Sequence, residues 1–581
     1  MLVYSDYKEC TETEEMLLHI EQTAEYLSIR ADYDTAVELL TECGNLETAL
    51  TDQFCAKTEL INPLICSSRQ LTLAAGWIFS RCCRNESMER KAVQRVMGLV
   101  QKLKSFPLPG RISYAVPEGF AFYGLYPECY ICSAEKFLRK YSPKEVVCIG
   151  LRSIGTTLSA VVASRLQQRG VETVSFTVRP RGHPFDRLVE LGGELIGAVS
   201  SDLSRFFLLV DEGPGLSGSS LCGAARLLEQ LGVPRRSVLM FPSWIPSGAQ
   251  LVSQAAKRVW SDYEKICTDF EEIKGDIGVF RSYSGCIDIS AGRWREVLCG
   301  PRHEYPAVNP YHERRKFLVR AENGNCFTKM LKFAGLGKPG RETEVFAKVL
   351  GEGGFAPKAL DYCEGFLQYE FKQGDVQRFG DADDDFLGRV AEYLVFRKEV
   401  LPVKGEAVSF DKMKEMIRIN LEESVGRSFA DTFSLKSLIS EEMYYQDVSN
   451  VDGKMLPCKW VNSQGSWYKF DGTDHHRDQF LPGVQNSAWD AAGFCIEFGL
   501  SGNQKKKFLR MYGERMADAF LEKRMPFYFV AYSAFRAGYA SMAAHSLGNS
   551  PDGIRFRRMY DYYRETMTEQ LRKAKSKIHV F

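Results

Sequence analysis

Between residues 16 and 103 the apolar positions recur every three or four residues. Met16, Leu17 and Leu18 lead to Leu27, then Ala36, Leu39 and Leu40, then a run over 92–103. That spacing places them on one face of successive helices and predicts a helical N-terminal domain over residues 1–105. Near 107 the texture changes. Pro107, Pro109 and Gly110 break the pattern, and short apolar runs then alternate with helix-like stretches. Runs at 146–149, 173–178, 206–210 and 237–241 read as buried strands, with helices at 157–168 and 219–231 between them. Strand–helix alternation predicts a parallel α/β sheet over 106–295.

Beyond 300 the pattern shifts again. Residues 316–321, 326–333 and 366–371 read as strands of an antiparallel sheet, with a helix at 342–351 between the second and third. After about 380 the chain reads as helical, apart from 452–471. A small sheet lobe followed by a helical lobe is predicted for 300–581. The fold class expected is therefore multidomain, α/β plus α+β.

Composition adds limits. The chain has 581 residues, 45% hydrophobic and 26% charged, with a formal net charge of +1. That length exceeds one core, and so even a charge carries no strong nucleic-acid signal. The basic runs at 505–507 and 572–577 read as solvated helix faces. Seventeen cysteines are scattered, several inside apolar runs. Residues 1–30 are rich in Glu and Thr, and no run of 18 apolar residues occurs. A reduced, cytoplasmic protein without a membrane span is expected. A homo-oligomer is left open.

Candidate chemistry begins where the strand at 206–210 ends. Asp211-Glu212-Gly213-Pro214-Gly215-Leu216-Ser217-Gly218-Ser219-Ser220 comes next and opens a helix. Small residues let backbone amides approach an anion, and the helix N-terminus adds partial positive charge. Asp211 and Glu212 suit ribose hydroxyls or a bridging magnesium ion instead. Phe207-Leu208-Leu209-Val210, the acid pair and then Ser217-Gly218-Ser219 together resemble the phosphoribosyl-pyrophosphate motif of type I phosphoribosyltransferases. One extra loop residue and Ser for Thr are the departures. Two more segments fit the resemblance. Ile149-Gly150-Leu151-Arg152-Ser153-Ile154-Gly155-Thr156-Thr157 stands where that family has its pyrophosphate loop. The basic segment carrying Arg179, Arg181, His183 and Arg187 resembles the mobile loop that closes over pyrophosphate. The resemblance implies phosphoribosyl pyrophosphate as substrate, with Asp211 and Glu212 orienting the ribose. It also implies anion contacts from Arg152, Ser153, Gly155, Thr156, Arg179, Arg181, Arg187, Ser217, Gly218, Ser219 and Ser220.

The last 280 residues carry a second constellation. Lys332 ends a strand and Glu344 comes later on a helix, a pairing that anchors nucleotide phosphates in kinases. Asn450-Val451-Asp452-Gly453, Tyr468-Lys469-Phe470-Asp471 and Ser487-Ala488-Trp489-Asp490 lie further along. Together these resemble the aminoglycoside-phosphotransferase branch of the kinase fold. The resemblance implies ATP and Mg2+, with Lys332 and Glu344 as nucleotide residues and Asp452 catalytic. Asp471 would hold the metal, Asp490 would brace the loop, and the hinge would run over 366–371 to Gly374. Asn450-Val451-Asp452 replaces His-Gly-Asp, and Pro457 replaces a metal-binding Asn, for which only Asn462 could substitute chemically.

Three function classes stay open: a bifunctional transferase of small molecules, a nucleotide-binding sensor or assembly protein with a silent kinase-like domain, and a metal-dependent hydrolase. The last rests on Asp471, Asp474, His475, His476 and Asp478. Gly335-Leu336-Gly337-Lys338-Pro339-Gly340 matches GxGxxG but reads as a turn, because Pro339 suits a helix opening poorly. Cys129 and Cys132 read as structural.

Overall fold

The computed structural model describes all residues except 6–7, 87–89, 284, 322–325, 404, 431–434, 436–437, 474, 476–477, 482 and 579–581, and the side chains of 574–578. Four N-terminal helices, Thr13–Ile29, Tyr33–Phe54, Pro63–Cys82 and Arg90–Lys104, form the predicted helical region. Their starts are chemically specified. Asp32 accepts from the Thr35 amide, and Asn62 accepts from the Ile65 amide with Pro63 in the first turn. A strand ahead of these helices, Lys8–Glu12, pairs antiparallel with Arg111–Ala115 and so ties the helical region to the α/β part.

The α/β layer is a five-stranded parallel sheet. Its order is Glu172–Val178, Glu145–Leu151, Phe206–Val210, Val238–Phe241 and Glu264–Lys265. Central strands are buried on both faces, which is why they read as continuous apolar runs. Helix Ile154–Gln168 packs between this sheet and helix Pro63–Cys82. The helix is buried along nearly its whole length, so the N-terminal helices serve as a third layer.

A second five-stranded sheet is antiparallel throughout. Its order is Cys286–Asp288, Lys316–Arg320, Phe327–Phe333, Phe366–Glu370 and Ala359–Cys363. Its first strand precedes residue 300, so the sheet begins earlier than the texture change suggested. The helix between its strands runs Lys338–Glu352 and does open on Pro339. This corrects the sequence reading: in the first turn a missing N–H costs nothing, and the fixed φ suits the helix. Helices Asp384–Val400, Phe410–Val425, Ala488–Glu497, Gly502–Arg515, Leu521–Leu547 and Pro551–Ile578 then build the helical part.

The units share one core. Residues from the first helices, the parallel sheet, and Phe317, Phe333 and Phe366 of the antiparallel sheet form a continuous buried cluster. Leu2 exchanges hydrogen bonds with the Asn420 side chain at 2.6 and 2.8 Å, so the first residues lie in the helical part. Among the described residues no helix is long and apolar enough to cross a membrane.

Candidate active site

Two loops and a hairpin converge at the junction of the antiparallel sheet and the helical part. Asp490 lies in the first turn of Ala488–Glu497. Its two carboxylate oxygens accept from the backbone amides of Asp452 (2.6 Å) and Gly453 (2.8 Å). Two adjacent amides held by one buried carboxylate fix the loop's direction. Burial, and then the Asp452 charge, push the Asp490 carboxyl up to about 7. Arg397, buried on helix Asp384–Val400, donates to the carbonyls of Asn450 (2.7 Å), Val451 (3.1 Å) and Gly472. It thereby ties the Asp452 loop to the Asp471 loop. Gly472 is required for that approach, since a Cβ there would lie 2.5 Å from the Tyr393 hydroxyl and 2.9 Å from Asp452 Oδ2.

The acids of these loops face ammonium groups. Asp452 Oδ2 accepts from Tyr393 (2.5 Å) and lies 3.0 Å from Lys469 Nζ, and both members of that ion pair have fully buried side chains. Burial alone would raise the Asp452 carboxyl, but Lys469, His475 and Arg397 outweigh it and hold it well below the usual range. Asp471 pairs through Oδ1 with Lys332 and through Oδ2 with Lys459 at 2.9 Å. Burial of Asp471 is likewise outweighed by Lys332 and Lys459, which hold it well below the usual range. Lys316, opposite Lys332 on the neighbouring strand, lies 3.2 Å from Glu313. Asp471 adopts φ +67°, a left-handed backbone that Asp tolerates better than most residues and that recurs at working sites.

A cavity of about 700 Å³ opens beside this cluster. Lys316, Lys459, Asp471, His475 and Glu313 form one wall. Trp294, Tyr305, Phe480, Tyr539 and Phe556 supply aromatic surface elsewhere, and Phe122 and Tyr123 reach in from the α/β part. A partly apolar concavity with a charged wall is the usual form of a small-ligand site.

The expectations fare unevenly. Lys332, Asp452, Asp471 and Asp490 are brought together. Glu344 is not joined to Lys332; it pairs with Lys348 one turn on at 2.7 Å. Asn462 does not fill the place of the missing Asn, because it sits in the hairpin strand Trp460–Ser463 and accepts from the Gly465 amide. Asp474 and His476 lie outside the described residues. His475 Nδ1 lies 3.0 Å from the Asp452 carbonyl oxygen. The residue types at the cluster do not fit the expected Mg2+. Both Asp471 oxygens and the Asp452 carboxylate face ammonium groups, Pro457 offers no side-chain oxygen, and Mg2+ demands octahedral oxygen ligands at about 2.0–2.1 Å. Lys459 and Lys469 were missed as site residues. Lys469 stands two residues before Asp471, a spacing that could have marked it.

The phosphoribosyl-type residues are differently placed. Arg152 lies in ion pairs with Asp52 (2.9 Å) and Glu59 (2.7 Å) and donates to the Thr177 carbonyl. Arg179 pairs with Asp52 and Arg181 with Glu59. Three arginines expected to meet pyrophosphate thus meet two carboxylates at and just beyond the end of helix Tyr33–Phe54. The buried charges of Arg152 and Glu59 thus each have a partner, without which burial would be costly. Thr156 is buried against Thr48 (3.1 Å), and a Cβ on Gly155 would lie 2.7 Å from the Val210 carbonyl. Ser153 precedes helix Ile154–Gln168 without capping it through its side chain. Gly218 (φ +68°) precedes helix Ser219–Gln230, and Ser219 donates to the Pro184 carbonyl at 2.7 Å. Ser217, Ser220 and Arg187 are half-buried. Asp211 and Glu212 stand side by side after the strand. Burial pushes their carboxyls up to about 7 and about 8, with Asp211 and Glu118 adding to the rise at Glu212.

No family model matches this chain, and no curated protein does. Among solved structures it is similar to choline kinase LicA from Streptococcus pneumoniae at 15% identity and TM-score 0.35, over 52% of this chain and 99% of that one. A choline/ethanolamine kinase family protein from Mesorhizobium loti matches at 12% identity and TM-score 0.35, over 52% and 97%. A spectinomycin phosphotransferase matches at 11% identity and TM-score 0.31, over 44% and 90%. At such scores the functional reading stands on the geometry of the site.

Proposed function

We propose that residues 300–581, with the strand Cys286–Asp288, form a kinase-like domain that binds a nucleoside triphosphate and transfers a phosphoryl group to a small molecule. One observation carries this reading: the Asp490 carboxylate braces the backbone of Asp452 and Gly453 while the buried Lys332 meets Asp471, which lines the 700 Å³ cavity. Lys332, Lys459 and Lys316 would receive the phosphates, since ammonium groups make strong charge-assisted bonds to phosphate oxygens. The aromatic part of the cavity would hold the acceptor. Incubation with ATP and a panel of small alcohols and amines, read by mass spectrometry, tests it. A product heavier by one phosphoryl group supports transfer.

A second reading is nucleotide binding without turnover. It is favoured by the complete burial of Asp452 in its pair with Lys469, which leaves that acid closed to a substrate hydroxyl. Tight ATP binding with no product in the same assay selects it.

For the α/β part we propose binding of a ribose phosphate at Asp211, Glu212 and Ser217, rather than phosphoribosyl transfer. Transfer needs cations for departing pyrophosphate, and Arg152, Arg179 and Arg181 are already committed to Asp52 and Glu59. A thermal shift with ribose 5-phosphate that is absent in an Asp211→Asn variant tests this.

A further inference from the structure

We propose that the kinase-like cleft binds nucleotide phosphates without a divalent cation, the ammonium groups of Lys459 and Lys469 standing where such a domain would otherwise use metal. This rests on the nucleotide-binding reading above and deepens it.

The carboxylates expected to coordinate a metal are committed. Asp471 uses Oδ1 for Lys332 and Oδ2 for Lys459, and Asp452 uses Oδ2 for Lys469 and Tyr393. Asp452 Oδ1 lies 3.2 Å from Lys469 Nζ and accepts from the Lys454 amide at 3.2 Å. Five residues after Asp452 stands Pro457, without a donor oxygen on its side chain. A divalent ion would have to displace an ammonium group from each acid. Lys469 is wholly buried, so displacing it would leave an unpaired charge in the interior, which is far costlier than the pair.

The local charge also favours an anion. Among the described residues of these ion pairs, Lys316, Lys332, Lys459 and Lys469 contribute four positive charges, and Asp452, Asp471 and Glu313 three negative ones, before His475 is counted. Lys316 and Lys459 line the cavity beside Glu313 and Asp471, so two ammonium groups border the open space together with their acids. In a half-buried site an ammonium group attracts phosphate more strongly than in water. A compact ammonium supplies charge without the rigid geometry that magnesium imposes.

The test is calorimetric titration of ATP into the full-length protein, once in metal-free buffer with EDTA and once with excess magnesium chloride. The inference expects binding in EDTA at least as tight, within about threefold, as binding with magnesium. It also expects Lys459→Met to weaken the EDTA affinity by about tenfold, with circular dichroism reporting whether the variant folds. Binding seen only with magnesium overturns the inference and leaves the nucleotide-binding reading standing. Binding in neither buffer overturns both. The wild-type comparison decides the matter even if the variant fails to fold.

Discussion

Lys459 Nζ lies 2.9 Å from Asp471 Oδ2, while the other oxygen of the same carboxylate meets Lys332. Two lysines from different strands and loops thus share one buried acid. Burial by itself would favour the neutral amine of Lys459, but Asp471 and Glu313 outweigh it and hold the ammonium form well past its ordinary range. Lys459 therefore stays charged as pH rises, whereas burial pulls the ammonium groups of Lys316 and Lys469 down. The Lys459–Asp471 pair should keep nucleotide binding nearly constant between about pH 6 and 9. Calorimetric titration of ATP across that range checks it.

Asp490 is the brace of the loop. Asp490→Ala leaves the buried amides of Asp452 and Gly453 without an acceptor, at about 1–3 kcal/mol each. Chemical denaturation should register that loss. ATP titration of the folded fraction should show weakened binding. Unchanged stability would mean the amides find other partners.

Gly472 separates two packed groups. Gly472→Ala would drive a methyl into Tyr393 and Asp452, and overpacking of this kind costs about 1–3 kcal/mol. We expect a lower melting midpoint and reduced ATP affinity together. Loss of stability with intact affinity would place the strain away from the nucleotide site.

Arg152 distinguishes two accounts of the α/β part. As an interior ion-pair centre, Arg152→Met should cost about 1–3 kcal/mol, because Glu59 keeps Arg181 and Asp52 keeps Arg179 but both lose their wholly buried partner. A phosphate-binding arginine would instead lose ligand affinity with little change in stability.

The acid pair gives a pH signature. Asp211 and Glu212 titrate near 7 and 8 when folded, against ordinary values of 3.8 and 4.5. Between those limits the folded state holds more protons than the unfolded one, so stability falls as pH rises from about 5 to 8. Asp211→Asn with Glu212→Gln should flatten this slope, by roughly 2–4 °C in the melting midpoint at pH 8 relative to pH 5. An unaltered slope would assign the protons to other groups.

Much of this was legible in the chain. The strands at 206–210 and 366–371 and the body of the helix at 342–351 emerge directly from periodicity, because their burial is one-sided or complete, whereas the opening of that helix at Lys338-Pro339 does not. The grouping of Lys332, Asp452, Asp471 and Asp490 came from the resemblance of their motifs to the aminoglycoside-phosphotransferase branch of the kinase fold. Partner choice was not legible. Nothing local marks Asp52 and Glu59 as the acids that occupy Arg152, Arg179 and Arg181, since that contact joins residues about 100 apart through helix packing. Lys459 and Lys469 stood in plain view, yet their role depends on a hairpin that turns both toward the same pair of acids.

The central claim is that the lysine–aspartate cluster binds nucleotide phosphates. Calorimetric titration of ATP into the wild type and into Lys332→Met measures it most directly, because Lys459 still holds Asp471 in the variant. The account predicts one binding site per chain in the wild type, weakened about tenfold or more in the variant, equivalent to about 1.4 kcal/mol. No binding by the wild type, or equal affinity in both proteins, would contradict it.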